Sequence, residues 1–174
     1  MIAFRCTDPR FPFLWEATAQ PEGRWHHAGG GPVQYLADTP HGAWAEFLRH
    51  EELRSAEDLE GVERALWAVE IPEPPHHEPE LNPNTLTGGR QSWPACQREA
   101  ERLRTEGAQG LKAPSAALKT GGATGICVDC GPRPGPSRDG KVLVLFGLQP
   151  ALIGWPVVLQ GRPPAELLSR VRHF

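Results

Sequence analysis

The sequence has no long hydrophobic run and no surplus of positive charge. A helix that crosses a membrane needs about 18 apolar residues, and no apolar stretch of the chain approaches that length. The opening Met-Ile-Ala-Phe-Arg also lacks the charged and apolar regions of a secretion signal. The net charge of −3 and the isoelectric point of about 6.2 argue against a broad nucleic-acid-binding surface, which would need a basic stripe. We therefore expect a cytoplasmic protein that binds neither membranes nor, directly, nucleic acid.

Several signatures of common enzyme classes and binding sites are also missing. The chain has no G-x-S-x-G nucleophile motif and neither of the phosphate-binding patterns G-x-x-x-x-G-K-[ST] and G-x-G-x-x-G. Its 4 cysteines do not form the framework of a secreted disulfide-rich protein. Cys127 and Cys130 have the spacing of a zinc knuckle or a redox pair, but no second pair follows. His76 and His77 could add ligands in principle, yet we expect no metal site.

The length of 174 residues predicts one domain, residues 1–174, large enough for its own core. Glycine and proline, 19 residues of each, predict much ordered loop. Strands are predicted at Ile2–Cys6, Val33–Ala37, Val62–Ile71, Lys141–Phe146 and Trp155–Gln160. Helices are predicted from Pro40 to about Glu57, capped by Asp38 or Thr39, and over Gln91–Glu106 before Gly107. Because the strands outnumber the helices and do not alternate with them, the fold class is α+β with mixed or antiparallel sheets.

Three further segments are predicted to be irregular or extended. Asp8–Gln20 is a turn-rich connection, helical in part, whose aromatic residues Phe11, Phe13 and Trp15 pack into the core. Pro72–Arg90 is a long proline-rich loop without periodicity, which is usually functional or mobile. A hairpin-like loop rich in glycine and proline runs from Cys130 to Gly140.

Residues suited to chemistry concentrate between Gly23 and Glu46. Arg24 stands next to Trp25, and a guanidinium beside an indole is often a preorganised anion clamp. Three consecutive glycines follow at 29–31 and let the backbone approach a ligand closely. Tyr35 then points to one face of a short strand.

Each of these residues also has a simpler structural interpretation. Arg24 could cap strand carbonyls, Tyr35 could be a core residue, and Ser115 could be an ordinary loop serine. Glu46 lies almost opposite the apolar side of its helix, so periodicity alone predicts a solvated charge. Only a cleft on that side of the helix would give Glu46 a functional role.

The combination of motifs is more specific than any one of them. It comprises Arg5 on the opening strand, Gly23-Arg24-Trp25 before a glycine turn, Val33–Ala37, an Ala-x-x-Glu segment ending at Glu46, and Ala113-Pro114-Ser115. Together these motifs resemble the RES-domain family, which is named after an Arg, a Glu and a Ser. The resemblance runs from Phe4 to Phe174 and is sharpest between Gly23 and Glu46. The family is similar to ADP-ribosyltransferases of the diphtheria-toxin type, which implies an α+β fold around an NAD cleft.

The resemblance also implies roles for individual residues. Arg24, Glu46 and Ser115 correspond to the family's catalytic Arg, Glu and Ser. Tyr35 corresponds to its active-site Tyr, and Arg5 to a second arginine of the pocket. Trp25, next to Arg24, is counted with the substrate-binding residues.

These roles suit cleavage of the bond between nicotinamide and ribose. A carboxylate at position 46 would oppose the positive charge of an oxocarbenium-like transition state. Arginine forks at positions 5 and 24 suit the pyrophosphate of NAD, and Tyr35 could stack on the nicotinamide ring. Ser115 would hydrogen-bond the ribose or the carboxamide.

The implied protein is an NAD-degrading toxin of a bacterial toxin–antitoxin pair. It would act as a glycohydrolase or by phosphorolysis, with NAD as substrate, no metal, and an Xre-type helix-turn-helix antitoxin as partner. A homodimer is compatible with the sequence. Two alternatives stay open: a protein-directed ADP-ribosyltransferase, and a non-catalytic interaction module stabilised by zinc at Cys127 and Cys130. The sequence leaves the acceptor of ADP-ribose undecided.

Overall fold

A computed structural model describes residues 1–14, 16–17 and 20–174 of the chain. The strands are β1 (Ile2–Thr7), β2 (Val33–Ala37), β3 (Arg64–Glu70), β4 (Gly110–Pro114), β5 (Ala123–Val128), β6 (Pro132–Arg138), β7 (Lys141–Phe146) and β8 (Ile153–Gly161). The helices are α1 (Pro40–His50), α2 (Pro83–Thr87) and α3 (Trp93–Thr105), with short 3-10 segments at Glu57–Leu59, Arg90–Ser92 and Ala165–Arg170. No described helix is long and apolar enough to cross a bilayer.

The main sheet has six strands in the order β4-β7-β2-β1-β3-β8, and every pairing within it is antiparallel. Strand β7 lies between β2 and β4. Its residues 142–146 are all buried because both faces of the sheet are covered there, which explains an uninterrupted apolar run in place of an alternating one. The predicted α+β class with antiparallel sheets is confirmed.

The sheet opens between its two central strands β1 and β2. Strand β1 pairs with β3 at all six of its residues, from Ile2 to Thr7. With β2, in contrast, the ladder is recorded at the single pair Phe4 and Ala37. Beyond that pair the two strands part, and the space between them is available for a cavity.

Helix α1 packs against β1 and carries Glu46. It begins at Pro40, with the Thr39 hydroxyl accepting a hydrogen bond from the Gly42 amide at 3.0 Å. It ends at His50, seven residues before the predicted end at Glu57. The helix is closed by hydrogen bonds from the Leu53 amide to the Leu48 carbonyl, 3.0 Å, and from the Glu52 amide to the Arg49 carbonyl, 3.3 Å. This closure needs a left-handed residue, and Glu52 supplies it with φ of 55°.

Other boundaries differ more modestly from the sequence predictions. Strand β3 is shorter than Val62–Ile71, and β8 begins two residues before Trp155. The predicted loop Pro72–Arg90 contains helix α2, which is capped by the Asn82 side chain. The predicted hairpin-like loop after Cys130 contains strand β6, which pairs with β5 in a separate two-stranded sheet.

The segment Asp8–Gln20 contains no helix among its described residues, so that part of the prediction is wrong. Phe13 packs on Trp67 with ring centroids 5.7 Å apart, whereas Phe11 is 45% exposed. Packing into the core therefore holds for Phe13 and not for Phe11. Trp15 lies outside the described residues.

Loss of the α1 cap should measurably weaken the fold. Thr39→Ala leaves the Gly42 amide without its acceptor, and we expect the free energy of unfolding to fall by about 1 kcal/mol in urea titrations. Thr39→Ser keeps the hydroxyl and serves as the control. Equal stability of the two variants would contradict the role of this cap.

Candidate active site

A cavity of about 780 Å³ opens where β1 and β2 part. Its walls come from β1, β2, α1 and the segment 20–26, and Phe174 closes part of it. Four of the residues singled out from the sequence line it together: Arg5, Arg24, Tyr35 and Glu46. The sequence pattern thus identified side chains that are far apart in the chain and share one cavity.

Arg5 projects from β1 at the point where the strands separate. One of its terminal nitrogens, Nη1, donates a hydrogen bond to Oε1 of Gln34 on β2. Burial lowers the pKa of Arg5 to about 10. Because its recorded partner is a neutral amide and not a carboxylate, the charge of Arg5 remains available to an anionic ligand.

Arg24 lines the same cavity, but its guanidinium is engaged with the protein. Nη1 donates to the Thr85 carbonyl at 3.2 Å and to the Ser92 hydroxyl at 2.9 Å, and it lies 3.8 Å from the Cys96 sulfur. Nη2 donates to the Gly88 carbonyl at 2.5 Å. The side chain is buried and connects α2 to α3. This resembles the structural interpretation, in which Arg24 caps backbone carbonyls, except that the carbonyls belong to the α2 region and not to strands. Direct ligand contact by Arg24 stays a prediction.

Arg49 is a second buried arginine of the cavity, and the sequence analysis missed it. Its Nη2 donates to the same Gly88 carbonyl at 2.7 Å, and its Nη1 donates to the Ala116 carbonyl. Its guanidinium also lies 4.4 Å from the centre of the Phe174 ring. Burial lowers the pKa of Arg49. Its position one helical turn after Glu46, on the same side of α1, was the available signal.

Glu46 lies on the side of α1 that faces the cavity. Ser115, just after β4, donates a hydrogen bond from its hydroxyl to Oε1 of Glu46 at 3.1 Å. The same hydroxyl accepts one from the Leu118 amide at 3.0 Å. Glu46 is therefore neither a core residue nor a freely solvated charge, because the side of the helix opposite the apolar stripe faces a cleft.

Ser115 is a buried residue that holds Glu46 through a hydrogen bond. It is only 3% exposed and is not among the residues that line the cavity. Its amide donates to the Gly140 carbonyl at 2.9 Å, and its carbonyl accepts from Arg172 at 3.1 Å. Ser115 thus holds the Glu46 carboxylate through its hydroxyl, and direct contact of Ser115 with a ligand stays a prediction.

Tyr35 lines the cavity, and its hydroxyl is hydrogen-bonded within the protein. The hydroxyl accepts a hydrogen bond from the Trp25 amide at 3.0 Å and lies 2.8 Å from Nδ1 of His26. Burial raises the pKa of Tyr35 well above its ordinary value, so the phenol stays neutral. Gly23 is required here, because a Cβ at that position would lie 2.7 Å from the His26 ring and 2.8 Å from the Tyr35 oxygen.

Trp25 does not join the other predicted residues. Its side chain is 1% exposed and packs with Val33, Leu111 and other core residues. It borders a separate pocket of about 360 Å³ next to α3. The contribution of Trp25 to the cavity comes from its backbone amide, which binds Tyr35.

Comparison with known proteins identifies the family and the fold of the chain. The model of the RES domain matches residues 2–161. The chain belongs to the RES domain family. Among solved structures, the chain is similar to one in the crystal structure of the M. tuberculosis MbcT–MbcA toxin–antitoxin complex. The TM-score is 0.57 at 16% identity, over 91% of this chain and 84% of that one, which demonstrates a shared fold. Comparison with curated proteins gives no match.

The two cysteines of the CxxC motif are not among the residues that line the 780 Å³ cavity. Cys127 lies within β5, and Cys130 lies between β5 and β6. Both residues are exposed and have free thiols. His76 and His77 pack on each other with ring centroids 4.2 Å apart. Among the described residues, no group of three or more histidine, cysteine and acidic side chains is arranged to hold a metal ion.

The buried arginine of the Gly-Arg-Trp motif should matter for stability. Arg24→Ala removes the hydrogen bonds of a buried guanidinium to the Thr85 and Gly88 carbonyls and to the Ser92 hydroxyl, so we expect this RES domain to lose about 3 kcal/mol of unfolding free energy in urea. Arg98→Ala, on the exposed side of α3, is the matched control and should cost less than about 0.5 kcal/mol. A loss below about 1 kcal/mol for Arg24→Ala would mean that these contacts do not hold α2 in place.

Proposed function

We propose that this RES-family protein degrades NAD by breaking the bond between nicotinamide and ribose. The observation that carries the proposal is the Glu46 carboxylate, held by Ser115 in a cavity that also contains the Arg5 charge and the Tyr35 ring. A volume of about 780 Å³ lies within the range of small-molecule sites and suits a dinucleotide. NAD is the substrate, and the proposal needs no metal.

Glu46 is the proposed catalytic residue. As nicotinamide leaves, positive charge develops on the ribose ring, and a fixed carboxylate lowers the energy of that state more than the energy of bound NAD. The hydrogen bond from Ser115 keeps the carboxylate in one orientation, so that little reorganisation is needed during the reaction. Ser115 thus acts as a positioning residue for Glu46.

The arginines and Tyr35 divide the binding of NAD between them. Arg5, with a neutral partner, is the best placed to bind the pyrophosphate as a bidentate donor. Arg24 and Arg49 add positive charge at the cavity wall while remaining bound to carbonyls. The Tyr35 ring offers a face for the cationic nicotinamide ring, where cation–π attraction is available before the bond breaks.

Removing the charge of Glu46 should abolish turnover without unfolding the protein. Glu46→Gln keeps the shape and an oxygen for the Ser115 hydroxyl, so we expect nicotinamide release to fall by about 1,000-fold with unfolding free energy nearly unchanged. Chromatographic measurement of nicotinamide tests this. The exposed Glu60→Gln is the control and should retain wild-type turnover. Equal turnover in Glu46→Gln and wild type would remove Glu46 from the mechanism.

The acceptor of ADP-ribose is resolved by product analysis in the same assay. Without phosphate, a glycohydrolase yields free ADP-ribose. With phosphate present, phosphorolysis would place phosphate on the ribose carbon that carried nicotinamide. Label retained on protein would instead identify a protein-directed ADP-ribosyltransferase.

We further propose that the chain is the toxin of a bacterial toxin–antitoxin pair acting in the cytoplasm. One structural neighbour comes from a toxin–antitoxin complex, which supports an antitoxin as partner here as well. By the family resemblance that partner would be an Xre-type helix-turn-helix protein.

Expression of the chain alone should therefore arrest bacterial growth. We expect cellular NAD to fall before growth stops, because NAD loss is the proposed cause of toxicity. Expression of Glu46→Gln at the same level should permit growth, whereas Glu60→Gln should arrest it. Growth arrest with unchanged NAD would contradict the proposal.

A further inference from the structure

We propose that His26 is a positioning residue which holds Tyr35 through its hydroxyl and, by ionising, makes the cavity sensitive to acid. This inference rests on the proposed function for its kinetic consequences. The hydrogen bonds on which it depends are independent of that function.

The contacts of His26 determine which nitrogen carries the proton. Nε2 lies 2.8 Å from the Pro21 carbonyl, which can only accept, so Nε2 must be the N–H donor. In the neutral ring Nδ1 is then an acceptor. The Tyr35 hydroxyl lies 2.8 Å from Nδ1 and therefore donates its proton to it.

The Tyr35 oxygen completes a directed chain of hydrogen bonds. The Trp25 amide, which can only donate, gives its proton to this oxygen at 3.0 Å. The hydroxyl thus accepts one hydrogen bond and donates one. These two interactions fix the hydroxyl, and with it the ring, of a residue that lines the cavity.

His26 is itself held firmly. It is 6% exposed, and its backbone forms an isolated bridge with Gly23. Its carbonyl also accepts from the Gln97 side chain on α3 at 3.3 Å. Since Gly23 has no side chain, the His26 ring can pack directly over that residue.

The surroundings of His26 favour its neutral form. The titratable or charged side chains that face or adjoin it are Glu22, Arg24, His27, Tyr35, Glu101 and Arg104. Burial is the main cause that lowers the pKa of His26, with Arg104 and His27 acting in the same direction and Glu22 against it. The pKa of His26 in the folded protein therefore lies below the ordinary value of about 6.5.

Protonation reverses one hydrogen bond of the chain. Nδ1 then becomes a donor to the Tyr35 oxygen, which already accepts from the Trp25 amide. The Tyr35 oxygen must then accept two hydrogen bonds while its own proton loses its acceptor, so the contact between His26 and Tyr35 is weakened. Because the folded pKa is depressed, the neutral arrangement is complete above about pH 6.5 and is lost as the pH falls through the folded pKa.

Steady-state kinetics of four variants test whether His26 acts through Tyr35. We expect His26→Leu and Tyr35→Phe each to lower kcat/KM for NAD by about tenfold, and the double variant to lower it no further. His26→Asn offers an oxygen near the position of Nδ1 without an ionisable ring. It should recover most of the loss of His26→Leu and should lack the acid-side decline of the wild type.

Two kinetic results would overturn the inference. One is a double variant in which the two losses multiply to about 100-fold, because the residues would then act independently. The other is an acid-side decline in His26→Asn that matches the wild type. Urea unfolding of each variant shows that the compared proteins are folded, and His26→Asn retains a test if His26→Leu does not fold.

Nitrogen NMR of the wild-type imidazole provides a readout that needs no activity. The Nε2–H tautomer with a pKa below about 6.5 supports the inference, and the Nδ1–H tautomer overturns it. If no protein releases nicotinamide, the proposed function fails while this spectrum still decides the hydrogen-bond chain.

Discussion

The Gly88 carbonyl, which accepts hydrogen bonds from both Arg24 and Arg49, is the interaction on which the site depends. It joins the Gly-Arg-Trp segment, helix α1 and the end of α2 at one atom. Both cations are buried against neutral carbonyls, so their hydrogen-bonding needs are met while their charges are not cancelled by a carboxylate at that atom. Two buried positive charges therefore lie at this part of the cavity wall, an arrangement that suits a ligand with two phosphate charges.

The site also depends on which side of α1 carries Glu46, because that side faces the opening between β1 and β2. A glutamate opposite the apolar stripe of a helix is ordinarily solvated. Here that side meets a gap in the sheet, and Ser115 reaches the carboxylate from β4's end. Because of this gap, a glutamate opposite the apolar stripe faces a cavity and not bulk solvent. An acid that cannot reorient freely in water is the form of carboxylate that can stabilise a developing cation.

The sequence predicted best where local chemistry determines the structure. Residues Lys141–Phe146 and Val33–Ala37 form strands at the predicted bounds, and Gly107 ends α3 with φ of 91°. Helix α1 ends by the same type of closure, but Glu52 occupies the left-handed position, so no glycine signalled it. Arg49 and the role of His26 were missed because their partners are brought close by the fold. The acceptors of Arg49 are 39 and 67 residues away in sequence.

The arginine of the family motif illustrates why a motif does not define a contact. Every hydrogen bond recorded for Arg24 goes to the protein, so a ligand phosphate could replace the Gly88 carbonyl only by leaving that buried carbonyl without this donor. Arg49 would still donate to that carbonyl, so the exchange costs one hydrogen bond from a charged group, about 1.5–3 kcal/mol. Arg5 makes one recorded hydrogen bond among the described residues, from Nη1 to Gln34, so its other guanidinium nitrogens can bind an anion without breaking it. We therefore expect Arg5 to bind an anionic ligand directly. Arg24 would act on such a ligand through the electric field of its charge and by holding α2 in position.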